Sequence, residues 1–211
     1  MSNENARAAV GLERLAVWPV TKNTSDELTF GEVHELKHRL MAMTSTPKVV
    51  SGVLNADDMP VENVTETQGC DIDLDVTALN SEERVLFYGE TLRNGTNVRS
   101  TSDTPGLLVV ACMTKRADGL YNLKKYMAVK FIEQAQTNNT VELGNIKYDT
   151  IKLKGECYPP LKLNEYRYVR FGVDLVKDAD IVTKWFTEAE YIGPEDTATT
   201  QTTSTDTGED G

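Results

Sequence analysis

The 211-residue chain is predicted to be mainly β, a sandwich or barrel with one short helix packed against it. Three stretches carry that prediction. Cys70–Thr77 alternates apolar and acidic residues with the two-residue period of a half-buried strand. Leu107–Met113 is an unbroken apolar run, LLVVACM, of the length of a strand buried on both faces. Between them, Asn80–Gly89 carries the start and stop signals of one helix.

Taken in order, residues 1–10 read as a flexible N-terminal arm, and the polar segment Thr21–Glu27 reads as a long loop. In Cys70–Thr77, Cys70, Ile72, Leu74 and Val76 share one face, and Asp71, Asp73 and Asp75 share the other. Asn80 is a candidate N-cap with Glu83 three residues on, and Arg84-Val85-Leu86-Phe87-Tyr88 follows before the stop at Gly89. After the apolar run, Ala117-Asp118-Gly119 signals a hairpin turn. Alternation resumes in Tyr126–Ile132 and in Tyr148–Leu153, where Ile151 and Leu153 oppose Tyr148, Thr150 and Lys152. In Tyr166–Val176 it runs through Val169, Phe171, Val173 and Leu175. Residues 1–193 thus form one domain, and 194–211 form a disordered acidic, Thr-rich tail with too little apolar surface to offset the entropy of ordering.

The net charge is −11, and five of the acidic residues lie in the tail, leaving −6 for the domain. Such a balance argues against binding nucleic acid through clustered phosphate contacts. Cys70, Cys112 and Cys157 are far apart with no CxxC pair, so they read as buried reduced thiols. The N-terminus carries no signal-peptide pattern and no stretch long enough to span a bilayer, so synthesis and folding in a cytoplasm are expected.

His34-Glu35-Leu36-Lys37-His38 fits HExxH, in which two histidines on one helix face bind zinc and the glutamate acts as base. Its surroundings oppose that reading. The chain has only these two histidines, Lys37 and Arg39 add positive charge, and Thr44-Ser45-Thr46-Pro47 leaves little helix. As a strand, His34, Leu36, His38 and Leu40 share one face instead. GxSxG, Walker and GxGxxG patterns are missing, as is a DxDxDG calcium loop at Asp71, since Val76 follows Asp75. No catalytic residue, metal or cofactor is therefore expected.

The order of features resembles the major tail tube proteins of siphophages, particularly those of Gram-positive hosts. The likeness begins at Gly11-Leu12-Glu13-Arg14-Leu15 and is sharpest in Val53–Glu62, where Ala56, Asp57, Asp58, Pro60 and Glu62 match a strand ending in Ala-Asp-Asp with a Glu after it. The alternating strand, the short helix marked by Asn80, Glu83, Leu86 and Gly89, the strand led by Pro105 and the closing Trp185-Phe186 follow in turn. The resemblance spans roughly residues 10–190 and is one of order and short motifs.

That resemblance implies a virion protein whose hexameric rings stack into a hollow tube, with an extended N-terminal arm and a long inter-strand loop bridging neighbours. Its partners would be further copies of itself, the tape measure protein, the tail terminator and the tail-tip or distal tail proteins. Double-stranded DNA would pass the lumen on its way into the host without specific binding. Asp57, Asp58, Asp71, Asp73 and Asp75 are the candidate lumen-facing acids, able to repel phosphates over about 8 Å at physiological salt. A solvent-facing outer sheet fits each of them slightly better. The readings from other classes are a monomeric β-sandwich binding module, a head decoration or connector protein, and the zinc peptidase.

Overall fold

The computed structural model describes residues 8–36, 40–56, 59–135 and 150–194, with the backbone alone for 53–56 and 59–64. The strands are β1 (Ala9–Asn23), β2 (Leu28–Phe30), β3 (His34–Glu35), β4 (Leu40–Ala56) and β5 (Met59–Val76), followed by helix α1 (Ser81–Tyr88). Then come β6 (Thr91–Arg93), β7 (Thr96–Val98), β8 (Leu107–Arg116), β9 (Tyr121–Glu133), β10 (Ile151–Cys157), β11 (Arg167–Val173) and helix α2 (Ala179–Thr187). The fold is mainly β and antiparallel, as the alternation predicts.

One ladder runs β2-β1-β8-β9-β10-β5-β4, with β3 branching from β1 and β11 from β9; β6 and β7 form a separate hairpin. The branch at β9 has a local cause. Residues 121–126 pair with β11 and 129–133 with β10, and the strand changes partner at a bulge where Ala128 adopts φ 50°. The sheet curls until β4 lies beside β1. Inside the curl, Leu15, Val17, Ile72, Leu74, Val110, Cys112 and Phe131 form one core, closed by Phe87 and Tyr88 of α1. The opposite face of β1, β8 and β9 forms a second core with Trp185 and Phe186 of α2. Strand β8 serves both, because Leu108, Val110 and Cys112 point one way and Val109, Ala111 and Met113 the other.

Helix α1 forms as its local signals require. Asn80 Oδ1 accepts from Glu83 N at 2.8 Å, Glu83 returns a carboxylate to Asn80 N at 2.8 Å, and Gly89 closes the helix at φ 71°. A side chain at Gly89 would also come within 2.6 Å of the Thr104 carbonyl. The turn at residues 117–119 is present too, with Gly119 at φ 84° and Asp118 accepting from Leu120 N.

Several expectations are corrected. There are two helices among the described residues, since residues 179–187 place Ile181, Val182, Trp185 and Phe186 on one helical face against the second core. Thr21–Glu27 is no long loop: Thr21–Asn23 completes β1 and only residues 24–27 turn, held by Thr24 N donating to Glu27 O at 2.9 Å. Ala9 and Val10, assigned to a flexible arm, begin β1 opposite Arg116. Residues 126–129 are all buried because β9 is covered on both faces, so alternation appears only from Lys130 onward. Alternation in β11 fails at Gly172, where two residues oppose one; Phe171 is left exposed and Leu175 lies beyond the strand. His38, Asp57, Asp58, Tyr148 and 195–211 of the expected tail lie outside the described residues.

Candidate functional site

The longest strands form the feature with the greatest reach. β4 and β5 pair from Leu40↔Val76 to Ala56↔Met59, yet β10 covers β5 only from Cys70 to Val76. Beyond Gly69 the two strands continue as a ribbon with no third strand among the described residues. Ribbon residues 49–52 and 65–68 are exposed, including Val49 at 54% and Val50 at 51%. The ribbon departs at a bulge, since Lys48 pairs with Gly69 and Val49 with Thr67, leaving Gln68 unopposed. Gly69 is required there because a Cβ would run into the Cys157 carbonyl oxygen. Pro47 is tolerated inside β4 because that strand ends the ladder.

At the root of the ribbon, Lys48 is a hub. Its ammonium lies 2.8 Å from Glu156, 3.1 Å from Asp71 and 3.0 Å from the Tyr158 hydroxyl, whose ring lies beneath it at 5.0 Å. The hydrogen bond to Glu156 is the foremost reason its pKa is pushed up. The predicted face is formed: Cys70, Ile72, Leu74 and Val76 are buried, while Asp71, Asp73 and Asp75 point outward. β10, however, sets Glu156, Lys154 and Lys152 directly opposite them, and Lys130 stands opposite Glu156 on β9. The aspartates therefore belong to a mixed, largely neutralised surface. Ala56 and Pro60 take up strand positions at the far end of the ribbon, where Leu54 pairs with Glu62.

His34 and Glu35 are in β3, paired with Val17 and Ala16, so the start of HELKH is extended rather than helical. Glu35 pairs with Arg14, whose guanidinium stacks 4.3 Å from the Phe186 ring. It acts as a structural tie between β1, β3 and α2. No group of three or more His, Cys, Asp or Glu able to hold a metal occurs among the described residues.

Two buried charge sites escaped sequence reasoning. Lys125, fully buried on β9, donates to the carbonyls of Glu188, Ala189 and Tyr191 at 2.8, 3.2 and 2.8 Å. Its ammonium lies 5.3 Å from the Trp18 ring and 5.0 Å from the Trp185 ring, so it pins the chain leaving α2 to the sheet. Burial pulls its pKa down to about 7 against the opposing pull of Glu188. On the other side, Arg84 of α1 forms a two-pronged pair with buried Glu90 at 3.0 and 2.6 Å and reaches Glu133 on β9 at 3.3 Å. Arg84 follows Glu82 and Glu83, and Lys125 follows Lys124, so nothing local marks either as part of a buried site.

Beside α2, Trp18, Leu28, Phe30, Val33 and Ala189 line an open groove of about 650 Å³. No helix among the described residues is long and apolar enough to cross a membrane. No protein-family model matches the chain, and no curated protein is found to be similar to it.

Proposed function

We propose that the chain is a structural subunit, without enzymatic activity, that assembles into the stacked hexameric rings of a siphophage tail tube. The observation that carries this reading is the β4–β5 ribbon. A two-stranded ribbon in water is marginally stable by itself, and its unpaired edges are templates for another chain. Two strands of 17 and 18 residues, extended past the sheet with valines on both faces, are suited to being completed by a neighbour. Ring closure would remove the remaining edges, as closing a sheet into a barrel does.

The resemblance in residues 10–190 supplies the rest of the proposal: a lumen occupied by the tape measure protein and later crossed by DNA, and terminator and tail-tip proteins at the ends. The face bearing Asp71, Asp73 and Asp75 is the one assigned to the lumen, with Asp57 and Asp58 near it in sequence. Its interleaved carboxylates and lysines would give phosphates no concentrated cation to hold. The tube would work as a slide through absence of attraction, more than through repulsion.

Negative-stain electron microscopy of the purified protein over a concentration series, with light scattering alongside, tests the proposal. Rings or hollow tubes of uniform width support it. A protein that stays monomeric at every concentration, and also when mixed with preformed tail tips, overturns it in favour of a monomeric binding module with the groove beside α2 as its site.

A further inference from the structure

We propose that Cys70 and Cys157 form a redox-active pair, convertible to a cross-strand disulfide that staples the root of the β4–β5 ribbon to β10. This inference is independent of the tube proposal. The two residues are directly opposed on adjacent antiparallel strands, the last register pair that β5 and β10 share. Opposed residues of such a ladder have Cα atoms about 4.5–5.5 Å apart, inside the range that a disulfide spans. Both are free and buried, and their thiols lie against each other in the core, not on opposite faces of the sheet. Cys112 is also free, but it lies on β8, whose neighbours in the ladder are β1 and β9.

The surroundings assign each sulfur a role. Cys157 Sγ lies 2.8 Å from the Met127 carbonyl oxygen and 3.5 Å from that of Tyr166. Two carbonyl dipoles aimed at this sulfur oppose a thiolate there and favour keeping the proton on it. Cys70 faces the Cys157 thiol, with Ser45 beside it and Arg167 nearby, and these favour its anion against burial and the Asp71 carboxylate. The thiol–thiol contact accordingly depresses the Cys70 thiol and pushes Cys157 up. Cys70 is the attacking thiolate and Cys157 the resolving thiol.

With a peroxide as oxidant, the Cys70 thiolate attacks one oxygen of hydrogen peroxide, breaks the O–O bond and becomes a sulfenic acid while hydroxide leaves. Cys157 then attacks that sulfur, forming the S–S bond and releasing the sulfenyl oxygen as water. The Cys157 proton completes the balance, so two thiols lose two electrons and peroxide is reduced to two waters. Access comes from the end of the ladder. Cys157 is the last residue of β10, the ribbon leaves the sheet at neighbouring Gly69, and Tyr158 next to it is 43% exposed.

The test treats the full-length folded protein with hydrogen peroxide, alkylates the remaining thiols after unfolding, and maps the peptides. Oxidation of Met41, which is 57% exposed, reports that the oxidant acted. The expected result is a Cys70–Cys157 peptide that dithiothreitol reverses, with Cys112 alkylated. In C157S, Cys70 is expected to stop as a sulfenic acid trapped by dimedone. Three intact thiols beside an oxidised Met41, or links to Cys112 that match those of urea-unfolded protein, would overturn the proposal.

Discussion

The Lys125 ammonium lies over the rings of both Trp18 and Trp185, with three backbone carbonyls accepting from it. The three carbonyls belong to the segment that follows α2, so this side chain ties the exit of the C-terminal helix to β9. Lys125→Met keeps much of the apolar stem but leaves the carbonyls without their donor. A destabilisation of about 1–3 kcal/mol is expected from urea unfolding. Because the chain has only these two tryptophans, their emission should change in the same variant.

The same residue makes stability depend on pH. Its folded pKa lies near 7 and its ordinary value is 10.5. Between those values the unfolded chain holds a proton that the folded chain has released, so stability rises with pH across that window. Wild type should therefore gain on Lys125→Met between pH 7 and pH 10. A flat difference would mean that three carbonyls and two indoles hold the ammonium charged against burial.

Arg84 and Glu90 give a second, separable test. Glu90 is 3% exposed, and removal of its partner leaves a carboxylate buried without compensation. Arg84→Met should cost about 3–5 kcal/mol, the cost of breaking a buried pair. Glu90→Gln, which removes the charge and keeps an acceptor, should cost less. Equilibrium denaturation of the two variants side by side checks the order.

Local signals made α1 and β8 legible, because the residues that specify them are neighbours in sequence. Asn80, Glu83 and Gly89 close a helix within ten residues, and LLVVACM can be buried only where both faces are covered. The face of Asp71, Asp73 and Asp75 was legible as a face, but its charge was not. The lysines that interleave with it come from β10, some eighty residues later, and only the ladder brings them together. Phe171 shows the complementary failure: a two-residue period cannot foresee a bulge at Gly172. Helix α2 went unread although Ile181, Val182, Trp185 and Phe186 are spaced along one face, and Asp178 makes no side-chain cap at its start.

Glycine requirements along β5 and β4 differ sharply. A Cβ on Gly69 collides with the backbone of β10, which cannot swing away as a side chain does, whereas Gly52 on the ribbon has nothing within 4 Å. Gly69→Ala is expected to destabilise by at least about 2 kcal/mol, in the manner of an overpacked core site. Gly52→Ala should stay within about 0.5 kcal/mol of wild type. Thermal unfolding of both distinguishes a hinge that needs glycine from a position that merely carries one.

Ribbon surface and fold stability should separate cleanly at Val49 and Val50. These neighbours lie on opposite faces of the ribbon, each about half exposed, and neither contributes to the two buried cores. Replacing both with lysine adds charge to an edge strand, a change that opposes pairing with another chain. In the monomer the effect on unfolding should stay within about 1 kcal/mol, twice the usual limit for one surface substitution. If the ribbon joins subunits, the same double variant loses concentration-dependent light scattering and forms no rings or tubes. Assembly that persists unchanged would move the joint elsewhere, because two ammonium groups cannot enter a strand-to-strand contact built around valine without a cost of several kcal/mol.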